Sequence, residues 1–233
     1  MNVELINAEQ VKDFFKNFGS VAAVCYNSPE KYAERIGKSC LESGHLSGSR
    51  GDYFKFKISG VPRFTMDQAV RATTGVLVNC QSFRYVDKDN FSYDIPTEIL
   101  DNQELLTEYK NYMEHCADMY EKIQKHVIDK GKPNERANES ARYVLPISTQ
   151  TEFVFGLDLE ALMHFMNVRL CNRAEDKIRK MANLMKDEVL KVLPELESYL
   201  VPTCEKLHWC PEHKSCGKCV TEKVLMNLLD RGD

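Results

Sequence analysis

Glycine supplies only 11 of the 233 residues, tryptophan one, and no apolar run approaches the length that spans a bilayer. Each shortage removes a class of protein. So little glycine, scattered along the chain, leaves no phosphate-cradling glycine loop, and no Ser-His-Asp arrangement can be assembled. The missing apolar span argues against a helical membrane protein, and the start Met1-Asn-Val-Glu-Leu lacks the basic, apolar and small-residue pattern of a secretory signal. A soluble cytoplasmic protein is expected. An excess of positive charge is absent too: 31 Lys and Arg stand against 35 Asp and Glu, a formal net charge of −4. Nothing global therefore pulls the chain toward a nucleic acid polymer or an anionic membrane.

Length and patterning then bound the fold. A chain of 233 residues is long enough for one sizeable core and short for two. Helical apolar spacing runs over Glu9 to Phe18 and Pro29 to Leu41, and Asp52 to Ser59 alternates with the period of a strand. Thr65 followed by Gln68 reads as a helix start with Thr65 as N-cap. Pro96-Thr97 opens a long polar helical segment to about Val127, whose mixed charge over Glu98 to Lys125 marks a solvated face. Asn134 to Arg142 reads as a short helix, Thr149 to Gly156 as a strand, Asp158 to about Arg173 as a helix, and Ala174 to Leu193 as another. This order predicts an α+β domain with a small, mostly antiparallel sheet packed by long helices, not a βαβ array. The expected division is a main domain over 1–203 and a Cys-rich tail over 204–233.

Several side chains stand where chemistry is possible. Leu162, Phe165, Met166 and Arg169 share one helical stripe, which puts a guanidinium among apolar neighbours. Such a charge meets a carboxylate, carbonyls, a subunit boundary or a ligand, because burying it alone costs several kcal/mol. Gln68 and Arg71 are three apart on one helical face, either a solvated surface or an amide and a guanidinium fork facing a phosphate or base edge. Ser82 and Arg84 lie two apart in an irregular loop and offer a hydroxyl and a guanidinium to an anion. Cys204, Cys210, Cys216 and Cys219 place four of the nine thiols in a short stretch beside His208 and His213. They are either reduced thiols or the ligands of a tetrahedral zinc site.

The motifs together resemble the flavin-dependent thymidylate synthases, the ThyX family. Ala141-Arg142-Tyr-Val-Leu-Pro146, Thr151-Glu-Phe and His164-Phe165 with Arg169 follow the order of the family's Ala-Arg-x-Val-Leu-Pro, Thr-x-Phe and His-Phe-x-x-x-Arg blocks. Gly44-His45-Leu-Ser47 resembles its His-x-Ser turn, and Cys210-Pro-Glu to Cys216-Gly a tail found in some members. The Arg-His-Arg signature is only half present: the chain reads Arg71-Ala72-Thr73, then reaches Ser82-Phe83-Arg84 one residue late. The family's Asn-Leu-Arg is Asp158-Leu159-Glu160 here, and its Pro-x-Glu-His is Gly48-Ser49-Arg50-Gly51.

The resemblance implies transfer of a one-carbon unit from methylenetetrahydrofolate to dUMP, giving dTMP, with FAD as cofactor and NADPH as reductant. It implies substrate contacts at Gln68, Arg71, Ser82, Arg84, Arg142 and Arg169, with Arg169 polarising the uracil, and cofactor contacts at Ser47, Arg71 and His164. Family sites are shared between subunits of a homotetramer. The altered flavin-side positions leave a second reading open: a changed or inactive paralogue that binds a pyrimidine nucleotide, acts on a related one, or completes a hetero-oligomer.

Overall fold

The computed structural model describes residues 1–222 and 224–226, which divide into two compact units. The first comprises residues 1–2, 58–70 and 79–153; the second comprises 3–57, 71–78 and the described residues from 154 onward. Strands β1 (Asn2–Leu5), β2 (Phe54–Pro62), β3 (Val76–Cys80) and β4 (Gln150–Leu157) form one sheet in the order β1-β2-β4-β3. The pairing is antiparallel, as the N–H donors of Arg63 to Thr149 O, Gln81 to Glu152 O and Asp158 to Gly75 O show. Both strands read from the sequence, β2 and β4, are the central pair. The two edges, β1 and β3, were not expected.

In the first unit α4 (Arg63–Ala69) follows β2, α5 (Gln103–Asp129) packs on α6 (Asn134–Ala141), and a 3-10 turn over Arg142–Val144 leads into β4. The helix α4 begins earlier than expected: Pro62, extended at ψ 152°, is its N-cap, and Thr65 is buried inside it. A proline cannot donate its backbone nitrogen, and at a helix entrance that donor is not needed. The long helix α5 starts at Asn102, whose side chain accepts from Leu105 N at 3.1 Å. Its core face is narrow, with Met113, Cys116 and Tyr120 buried. Phe91 packs on the first two, with the half-buried Tyr93 and Tyr109 beside them.

The second unit holds α1 (Ala8–Val11), α2 (Phe14–Val24), α3 (Ala33–Glu42), α7 (Leu159–Arg169), α8 (Asp176–Leu190) and α9 (Thr203–Leu207). The single helix expected over Glu9 to Phe18 is interrupted at Lys12-Asp13 and resumes as α2 past its expected end to Val24, whereas α3, α7 and α8 are shorter than their patterns suggested. Helices α2 and α3 meet backbone to backbone. A Cβ on Gly19 would sit 1.6 Å from the Ala33 carbonyl oxygen, and one on Gly37 would sit 2.1 Å from that of Phe15. Phe14, Phe15 and Phe18 beneath this crossing cluster, and Phe14 reaches Phe54 of β2 at a ring separation of 5.2 Å. Behind α7, Leu162, Phe165 and Met166 are buried, with α8 contributing Ile178, Met181 and Met185.

Candidate functional site

In the first unit a cavity of about 440 Å³ is lined by Arg63, Gln81, Ser82, Phe83, Arg142 and Pro146 among others. Its polar wall comes from three separate places. Arg63 opens α4, Ser82 sits where the chain leaves β3, and Arg142 occupies the turn after α6. The Arg63 guanidinium lies 5.6 Å from the Phe83 ring centre and 3.4 Å from the Asp67 carboxylate. Gln81 accepts from Lys88 Nζ at 2.7 Å, and burial of Lys88 lowers its pKa against the opposing pull of Glu152. Two guanidiniums, a hydroxyl and an amide around one opening make a donor-rich wall suited to an anion.

Two expected contacts of this unit lie elsewhere. Arg84 is ion-paired to Glu135 and, at 3.1 Å, to Glu139, both on α6, and its carbonyl accepts from Asn138 Nδ2 at 3.1 Å. Its backbone nitrogen donates to Ser82 Oγ at 3.3 Å, so the Ser82 hydroxyl also shapes the loop. Gln68 is half-buried at the end of α4.

The second unit carries the remaining candidates. Arg169, at the last position of α7, is half-buried; burial first, and then the Arg71 guanidinium, lower its pKa from the ordinary value. Two guanidiniums within electrostatic reach of each other can share one anion. His164 is exposed on the same helix and faces a separate cavity of about 570 Å³, with Ala72, Thr73, Thr74, Asp158, Glu160 and Arg50 on its wall. Every one of these last positions except Thr74 is a departure from the motifs quoted above. The structure brings them to one place.

Their carboxylates are not free. Asp158 is the N-cap of α7, its Oδ1 accepting from Ala161 N at 2.8 Å. The backbone before it is fitted to that role: Gly75 has φ +67°, and a Cβ there would meet the Asp158 carboxylate at 2.3 Å. Glu160 accepts from Arg50 Nε at 2.7 Å. Arg173, in the same unit, pairs with Glu212 at 3.0 Å. Ser47, exposed in the 3-10 turn Ser47–Ser49, lies just before Arg50, whose backbone nitrogen donates to its carbonyl at 3.4 Å. The sequence signal for the capping role was an Asp immediately ahead of an apolar helical run; the signal for the Arg50 pairing does not exist locally.

The four tail thiols are not assembled as a zinc site. Among the described residues no group of three or more His, Cys, Asp or Glu side chains is placed to hold a metal ion. Cys216 is exposed and takes a 3.8 Å contact from Asn172 Nδ2, while Cys204 hydrogen-bonds Cys219, so the set is divided. Among the described residues no helix is long and apolar enough to cross a membrane.

With this geometry in view, similarity to known proteins is informative. The family described as Thymidylate synthase complementing protein matches residues 5–195. A flavin-dependent thymidylate synthase of Nitratidesulfovibrio vulgaris is 37% identical over 182 residues, covering 77% of this chain and 74% of that one. One from Clostridium tetani is 33% identical over 244 residues and covers 97% of both. The crystal structure of flavin dependent thymidylate synthase ThyX from Helicobacter pylori, complexed with FAD and dUMP, superposes with a TM-score of 0.60 at 18% identity, over 88% of this chain and 99% of that one.

Proposed function

Because the chain belongs to the flavin-dependent thymidylate synthase family, we propose that it binds FAD and dUMP and methylates the nucleotide with methylenetetrahydrofolate as one-carbon donor and NADPH as reductant. The observation that carries this reading for the present residues is that Arg71 and the half-buried Arg169 lie within electrostatic reach of each other, two guanidiniums that one bound anion can bridge. Arg169 is half-buried, so its charge is poorly screened and acts strongly on an electron-rich ring. Its role is to polarise the uracil, stabilising negative charge on its oxygen and nitrogen atoms in the form whose C5 is the nucleophile. Arg71 fixes the nucleotide's orientation. Arg142, Ser82 and Arg63 line the first unit's own cavity and offer donors to a phosphate or a sugar there. In a homotetramer these two sets of residues can come from different chains.

The residues around His164 fit a flavin nucleotide. The cavity is roomy, its hydroxyls Thr73 and Thr74 can donate to phosphate or ribose, and both carboxylates on its wall are already satisfied. Bound there, FAD would supply the redox chemistry and the one-carbon relay; the protein's part is to bind, orient and exclude water. Arg71, His164 and Ser47 would hold it. Gln68 and Arg84 complete the proposed contact set, with Arg84 acting through the loop it braces on α6.

The reading is tested by the visible absorbance of the purified protein, alone and after incubation with FAD and gel filtration, with and without dUMP. Retained flavin whose spectrum shifts on adding dUMP is the expected result. A colourless protein that still binds dUMP would leave a nucleotide-binding partner subunit as the function, the reading that the incomplete Arg-His-Arg signature favours.

A further inference from the structure

Behind Arg169, on a different cavity from the one His164 faces, five of the cysteines gather. Cys171, Cys204, Cys210, Cys216 and Cys219 line a cavity of about 280 Å³ together with Arg169. The chain is tied so that the first and last of the tail thiols meet. Glu205 is ion-paired to Lys218, Cys210 N donates to Val220 O at 2.7 Å, and Cys210 and Thr221 form a parallel bridge. These ties put Cys204 and Cys219 side by side, within a thiol–thiol hydrogen bond.

We propose that Cys204 and Cys219 form a reversible dithiol–disulfide pair, oxidised by low-molecular-weight disulfides, whose state is felt at Arg169. The cavity admits a small disulfide, and Cys219 is more weakly sheltered by its surroundings than the buried Cys210. The Cys219 sulfur attacks one sulfur of the reagent, which forms a mixed disulfide and releases one small thiol. The Cys204 sulfur then attacks Cys219 in that mixed disulfide, forming the Cys204–Cys219 bond and releasing the second small thiol. The protein thiols lose two hydrogens and are oxidised; the reagent gains them and is reduced. Burial, and then the contact with Cys219, push the Cys204 thiol up to about 11, which makes it a poor first nucleophile toward the reagent. Transmission to Arg169 has a short path. Thr203 Oγ1 donates to Asn167 O at 3.2 Å, fastening α9 to the last turn of α7, and the new bond would pull on that fastening.

The thiol pair stands on its own contacts; the consequence for nucleotide affinity rests on the role given to Arg169 above. The full chain is equilibrated in glutathione and glutathione disulfide mixtures, alkylated, and mapped by non-reducing peptide mass spectrometry. The expected result is a peptide linking Cys204 to Cys219. Cys204→Ser should leave a lasting glutathione adduct on Cys219, and Cys219→Ser should leave Cys204 unmodified. Absence of the link at every ratio, equal glutathione uptake by Cys204 in Cys219→Ser, or zinc in the purified protein that either variant loses, would overturn the proposal. Calorimetric dUMP titration of the reduced and oxidised forms should differ by about fivefold or more. Equal affinities would overturn the coupling to Arg169, and no binding by either form would refute the proposed function while the peptide map still decides the thiol pair.

Discussion

Glu160 and Arg50 stand 110 residues apart in sequence, and the 2.7 Å contact between them decides how the wall beside His164 is charged. Read one at a time, each is a departure from a motif: Glu160 stands where the family has Arg, and Arg50 stands where it has Glu. Read together they are a pair with its signs exchanged. The Arg50 guanidinium is held further above its ordinary pKa by its hydrogen bond to Glu160, so it is charged under all working conditions. The pair is largely exposed and screened by solvent, so it contributes little to stability. Its effect belongs to ligand binding. Arg50→Ala should leave the melting temperature almost unchanged but weaken FAD about tenfold, since an uncompensated Glu160 would repel an anionic cofactor. Arg50→Ala with Glu160→Gln should regain most of that loss. Flavin fluorescence titration checks both, and a double variant as weak as the single one would remove the charge argument. Arg169→Ala, by contrast, should abolish dUMP binding with the fold intact; isothermal titration and circular dichroism on the same sample decide it. The sequence showed Arg169 because its stripe is local; it could not show the Arg50 pairing, which depends on the fold.

At the scale of elements, burial governs what the chain reveals. Strands β2 and β4 are central and alternate buried with less buried positions, and both are visible in the sequence. At the edges, β3 has four of its five residues exposed and so shows no buried face, while β1 alternates over only four residues, too short a run to stand out. Thr65 misled for a related reason: its type suits an N-cap, but Pro62 had already set the entrance geometry three residues earlier. The crossing of α2 over α3 is likewise silent in hydrophobic patterning, because what it requires is the absence of two side chains. Gly19→Ala should force α3 away from α2, costing about 3 kcal/mol and lowering the melting temperature by about 6 °C or more. A thermal scan that finds no loss would show that the helices can separate freely. Asp158→Ala removes the α7 cap and should cost about 1 kcal/mol, detectable by urea unfolding as a lower midpoint with the slope unchanged.

For the molecule as a whole, a buried phenol contributes to an alkaline limit, beside the raised Cys204 thiol. Tyr120 is fully buried on α5, its oxygen accepting from Lys88 N at 3.3 Å, and burial is the leading cause that pushes its pKa up to about 12. The direction of the consequence follows from proton counting. An unfolded tyrosine releases its proton near about pH 10, whereas the folded one keeps it to about 12, so between these values the native state binds more protons. The contribution is then fully present below about pH 10 and is lost as pH rises through about 12. Replacing Tyr120 by Phe should therefore flatten the alkaline fall in stability. The same change gives up the hydrogen bond from Lys88 N, a loss of about 1 kcal/mol that should appear equally at neutral pH. Urea unfolding of both proteins from about pH 7 to about pH 11 separates the two effects. The curves should converge as pH rises, and parallel curves would mean that Tyr120 does not contribute to the alkaline limit.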